Sequence, residues 1–131
     1  MKSENITGVQ HIGIPTNDME KTLEFYHALG FETAFETINE EAGEKVVFLR
    51  CKNLVVEAYE NHQAVGKDGA VDHIALDVLD IEEAFSWVKT LGYEMLDSEI
   101  RFLPFWEAGV RFFTILGPNH ERIEFSQMLK K

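Results

Sequence analysis

Cysteine is nearly absent from this 131-residue sequence: the lone Cys51 excludes an intramolecular disulfide and fits a reducing cytoplasm. Basic residues are scarce too, twelve Lys and Arg against 23 Asp and Glu, for a formal net charge of −11. That balance excludes nucleic acid and anionic membrane as main partners, because both require basic patches. No apolar run approaches the ~20 residues that span a bilayer. The opening MKSENITGVQ has neither the basic segment nor the apolar stretch of a signal peptide. These absences point to a cytoplasmic protein. What is present is a hydrophobic content of 45 % with ten Phe, enough for a core.

The sequence also repeats itself. Residues 9–32 (VQHIGIPTNDMEKTLEFYHALGFE) lie without a gap over residues 71–94 (VDHIALDVLDIEEAFSWVKTLGYE), identical at eight of 24 positions. His11 falls on His73. Two copies of about 60 residues are each marginal as independent folds, so the unit expected is one domain, 1–131, made of two modules. Module one covers about 6–62, the polar stretch 61–69 is the linker, and module two covers about 70–131.

Local patterns give each module the order β-α-β-β-β. Residues 8–14 alternate as a strand, Asp18 begins a helix carrying Leu23, Phe25, Tyr26 and Leu29, and Gly30 closes it. A strand at 31–37, a turn at 39–44 and a hairpin across Lys52-Asn53 follow. The second copy runs through strand 71–78, a helix opened by Asp80 and closed by Gly92, strand 93–97, an irregular EIRFLPFWEAG (99–109), and a hairpin turned at 117–120. The class is α+β, two tandem βαβββ modules with pseudo-two-fold symmetry. Both helices are expected on one side of a larger curved mixed sheet that forms an open cleft.

Strand parity then selects a constellation. Ile74 and Leu76, Val56 and Ala58, and Ile123 and Phe125 point toward the helices. His11, Glu57, His73 and Glu124 therefore face the other side, with small residues (Gly13, Ala75) two positions beyond each histidine. Two carboxylates meeting two imidazoles repel unless a positive charge lies between them. One divalent ion per site resolves this, and mixed N/O ligation suits Ni, Co, Zn, Mn or Fe. His27, His62 and His120 have no such pairing and read as surface residues.

The paired modules, V-x-H-I opening each, and a Glu near the end of each last strand resemble the vicinal oxygen chelate superfamily over nearly the whole chain. Within it the sequence is most similar to bacterial glyoxalase I, whose ligand set His, Glu, His, Glu corresponds to His11, Glu57, His73 and Glu124. The resemblance implies a lyase or isomerase acting on the hemithioacetal of an α-ketoaldehyde. A Lewis-acidic metal would stabilise an enediolate, and a glutamate would carry a proton between adjacent carbons. Glu124 is the expected base, with Glu57 the alternative. Asn61 has a counterpart in glyoxalase I. The family's glutathione-gripping Arg is replaced by Pro15, and its basic loop by the aromatic 101–109, which leaves the thiol open.

Tyr59, Phe105, Trp106 and Arg111 complete the expected substrate contacts; Phe48 could line the cleft beside Tyr59, with core packing the preferred reading. Arg101 and Arg111 could each meet a substrate carboxylate or a neighbouring acid. The aromatic run suits a pocket wall, a core plug or a dimer contact. Three functions stay in view: the glyoxalase I-like enzyme, a metal-free binding or drug-resistance protein, and an acyl-thioester epimerase. The partners expected are a small-molecule substrate and a second copy of the chain in a homodimer.

Overall fold

A computed structural model describes residues 5, 7, 9–69 and 71–131. The expected module starts at 6 and 70, and the expected first strand residue, 8, lie outside the described residues. The chain divides into two compact units, 1–64 and 65–131, and the division falls inside the expected linker.

In the first unit, strand β1 (Ile12–Thr16) leads to helix α1 (Met19–Ala28), then β2 (Glu32–Asn39), β3 (Glu44–Cys51) and β4 (Leu54–Glu60). Asp18 starts α1 by accepting a hydrogen bond from the Lys21 backbone N–H at 3.0 Å, relieving one of the four unpaired N–H groups of a helix start. Gly30 follows the helix with φ 101°, a left-handed turn that costs glycine least. The sheet order is β1-β4-β3-β2, with β1 parallel to β4 and the other pairs antiparallel. Helix α1 packs on one face against β4 and β2. Phe25 and Tyr26 are buried there with Phe31, Leu49, Val56 and Ala58, each large side chain contributing roughly 1.5–3 kcal/mol. Thr16 and Thr22, both fully buried, join their hydroxyls at 2.8 Å.

The second unit repeats the plan with β5 (His73–Asp77), α2 (Ile81–Thr90), β6 (Glu94–Met95), β7 (Arg101–Leu103), β8 (Val110–Leu116) and β9 (Arg122–Met128). Asp80 caps α2 by accepting from the Glu82 and Glu83 backbone N–H groups. Strand β5 runs parallel to β9, β9 pairs β8, and β6 and β7 both pair β8. Helix α2 packs against β9 and β8. Phe113 centres this core, stacked on Phe125 at 4.9 Å and edge-on to Phe85 at 5.1 Å.

Two features differ from the sequence expectation. The strands form two sheets, one in each unit, rather than one larger sheet. The stretch 99–109 also contains a strand, because residues 101–103 hydrogen-bond along the edge of β8 beside the shortened β6.

Candidate metal centre

In the first unit β1 lies directly beside β4, with Gly13 opposite Glu57. His11, immediately before β1, therefore reaches the same face, and its Nε2 stands 3.2 Å from Glu57 Oε1. The other ring nitrogen, Nδ1, meets Gln10 Oε1 at 3.0 Å. Phe48 is the cross-strand partner of Glu57 and presses edge-on to the His11 ring, centroids 5.5 Å apart. Phe35 continues this aromatic row 6.3 Å beyond Phe48. The Tyr59 ring lies over Gly13, where an added Cβ would sit 3.5 Å from the ring and 3.9 Å from Glu57 Oε1. Glycine thus keeps open the space in front of the carboxylate.

The second unit builds the same pair. Ala75 stands opposite Glu124, and His73 Nε2 is 3.6 Å from Glu124 Oε1. His73 Nδ1 contacts Asp72 Oδ2 at 3.0 Å. A carboxylate has only acceptors, so that contact puts the ring proton on Nδ1. In the neutral ring, Nε2 then aims a lone pair at an anionic oxygen. Two acceptors facing each other are favourable only with a proton or a cation between them. The hydrogen bond from His73 holds the Asp72 carboxyl below its ordinary value of 3.8; desolvation, the next largest effect, opposes it, and the Arg122 charge adds a smaller lowering. Among the described residues no three or more His, Cys, Asp or Glu side chains are grouped so as to hold a metal ion.

The other expected site residues are placed as follows. Tyr59 lies on the His11–Glu57 face. Asn61 accepts the Gln63 backbone N–H on its Oδ1 at 3.0 Å, closing a turn after β4. Arg111 is a correction: it sits across from Gln127, three residues from the Thr114 that faces Glu124, so it takes the helix side. There it pairs with Glu82 of α2 at 3.5 Å. Arg101 instead lies across from Phe112 on the Glu124 side, over the Phe112 ring and 3.5 Å from Asp97. Phe105 and Trp106 occupy the β7–β8 loop, which leaves the sheet beside Met128. His73 is at the opposite end of β9, beside Arg122, about 20 Å of strand away. They stand apart from their own unit's pair and are exposed, Trp106 with φ 62°.

Phe35 was missed, and Phe48 was weighed for the cleft but taken as core. Phe48 is half-buried against His11 rather than in the core, and Phe35 joins it because a bulge between Thr33 and Phe35 shifts the register by one. Neither is readable from alternation, since VVFL (46–49) is apolar throughout. The remaining histidines have local partners: His27 meets Thr33 Oγ1 at 3.0 Å, His62 lies 3.7 Å from Glu60, and His120 lies 3.9 Å from Asp68.

The sequence pattern of the Glyoxalase/Bleomycin resistance protein/Dioxygenase superfamily matches residues 8–125, and the protein belongs to that family. An uncharacterized Bacillus subtilis (strain 168) protein, YwbC, is 28 % identical over 124 residues, spanning 91 % of this chain and 96 % of its own length. The crystal structure of a glyoxalase family protein from Enterococcus faecalis matches with a TM-score of 0.78 at 21 % identity, covering 93 % of this chain and 98 % of that one. The fosfomycin resistance protein FosX of Listeria monocytogenes, complexed with Mn(II) and sulfate, matches with a TM-score of 0.73 at 19 % identity, covering 95 % and 94 %. Among the described residues no helix is long and apolar enough to cross a membrane.

Proposed function

We propose that this protein is a metal-dependent lyase or isomerase of glyoxalase I type, acting on a small oxygenated substrate such as the hemithioacetal of an α-ketoaldehyde. The observation that carries the reading is the pairing, in both units, of a histidine Nε2 with a glutamate oxygen at 3.2 and 3.6 Å. Two neutral imidazoles and two carboxylates balance the charge of one divalent ion, so His11, Glu57, His73 and Glu124 fit such a group chemically. The Mn(II) bound by the FosX structure supports a divalent ion in a relative of this fold. When bound, the ion supplies Lewis acidity toward substrate oxygens.

The chain's own residues supply the rest. A glutamate oxygen takes a proton from one carbon and returns it to the next, a role worth roughly 10²–10⁴-fold in rate. Glu124 is assigned that role, since it is less closely engaged with its histidine than Glu57. Phe48 and Tyr59 flank Glu57 and exclude water from the substrate's apolar side. A second reading, a metal-free binder of an aromatic molecule, is favoured by the exposed Phe102, Phe105 and Trp106. In either reading the protein is a homodimer.

The test is turnover of methylglyoxal with a panel of thiols, glutathione among them, by protein loaded with each divalent ion in turn. Product formation that disappears in His73→Ala supports the enzyme. No turnover with any thiol, together with tight binding of aromatic ligands to the metal-free protein, overturns it in favour of the binder.

A further inference from the structure

We propose that the first unit carries a binding site for a free α-amino acid with an aliphatic side chain, on the face opposite the His11–Glu57 pair. Neighbouring side chains along β3 point to opposite faces, so Val47 turns toward α1 while Phe48 turns toward His11. Between the first two turns of α1 and the β2–β3 hairpin lies a cleft of about 530 Å³, the size of small-molecule sites generally. Its apolar lining comes from the buried Met19 and Val47 and the half-buried Leu23. Ile38, also in the lining, is 60 % exposed, so that side chain is largely left out of the unit's core.

The same cleft presents both signs of charge. Glu36 lies across from Val47 and Lys45 across from Ile38, which makes them diagonal neighbours on one face, about 7–8 Å apart. Glu20 adds a second carboxylate from the first turn of α1. All three are exposed, and among the described residues none meets an opposite charge at ion-pair distance. A free amino acid complements this arrangement at three points. Its ammonium meets Glu36 and Glu20, its carboxylate meets Lys45, and its aliphatic side chain covers Leu23, Ile38 and Val47. A simple amine would face the Lys45 ammonium, and a simple carboxylate would face two glutamates. The site uses neither a metal nor any residue of the second unit, so it stands apart from the function proposed above.

Methyl and amide NMR spectra of the full-length protein, titrated with L-leucine, test this. Two further probes each lack one of its charges, 3-methylbutylamine and 4-methylpentanoate. Leucine should shift the resonances of Met19, Leu23, Ile38 and Val47, and each probe should bind roughly 2–5-fold more weakly, the worth of an exposed ion pair. Lys45→Met should weaken leucine by that factor without weakening 3-methylbutylamine. Glu20→Gln combined with Glu36→Gln should weaken leucine without weakening 4-methylpentanoate. The substituted side chains are exposed, and the amide spectrum of each variant reports directly that it is folded. No leucine-induced shift at the cleft, or shifts confined to the His11–Glu57 face, overturns the proposal. So does either probe binding as tightly as leucine, or a Lys45→Met variant that binds leucine as well as wild type does.

Discussion

Replacing Glu124 by Gln should stabilise the metal-free protein and destabilise the metal-loaded one. Gln has the shape of Glu but carries an NH₂ group. In the metal-free protein, Nε2 of His73 faces the Glu124 oxygen at 3.6 Å, with the ring proton committed to Asp72 on the other side. An amide N–H there can donate to the Nε2 lone pair, turning an acceptor–acceptor confrontation into a hydrogen bond worth about 1 kcal/mol. The gain stays near that figure because the pair is partly solvated, His73 44 % and Glu124 21 % exposed, which screens the removed repulsion. For a chain of this size that raises Tm by about 3 °C. If Glu124 is a metal ligand as proposed, the sign reverses with metal present, since an anionic ligand is lost and the ion's stabilisation by mass action shrinks with its affinity. Scanning calorimetry at mildly alkaline pH, with and without excess Co(II), reads both arms. If the variant melts below wild type in the metal-free state, Glu124 is accepting a proton from His73, and the tautomer argument is wrong.

Further consequences follow from the packing and the charges. Phe113→Ala removes a fully buried ring stacked on Phe125 and touching Phe85, and should cost about 3–5 kcal/mol by urea denaturation. Thr16→Val takes from the Asp18 backbone N–H its 3.0 Å partner and from the Thr22 hydroxyl its 2.8 Å contact, leaving Thr22 its bond to the Asp18 carbonyl, at a cost of about 1–3 kcal/mol by the same measurement. Asp72 is held below its ordinary value of 3.8 in the folded protein, first by the His73 hydrogen bond. The unfolded chain therefore takes up that proton first: the contribution is complete above 3.8 and is lost as pH falls through the lower folded value. Asp72→Asn should flatten that part of the acid limb of stability against pH, and an unchanged limb would refute the assignment.

The parts of this structure written in local chemistry were legible in the sequence. Asp18 and Asp80 mark helix starts because their side chains satisfy backbone N–H groups within the same turn. The alternation through 54–60 and 122–126 placed Glu57 and Glu124 on one face of their strands, and each meets the expected histidine. What was not legible depends on register between strands. The bulge that carries Phe35 to Phe48 is set by hydrogen bonds to β3, not by the residues of β2. Phe48 lies in an apolar run without parity, so only its pairing with Glu57 shows which way it faces. Arg111 was readable in principle, two positions before the buried Phe113 and so on its face, but the charge next to an aromatic run suggested a substrate contact instead. The division into two sheets depends on which edges hydrogen-bond, and a repeat of apolar positions does not encode that.

Metal stoichiometry of protein purified without chelator, measured by elemental analysis on wild type, His11→Ala and His73→Ala, tests the central claim most directly. The account predicts one divalent ion per chain in the wild type and loss of that ion in each variant, because the proposed ligand set uses both histidines. Wild-type protein without metal, or an ion that survives either substitution at full occupancy, would contradict it.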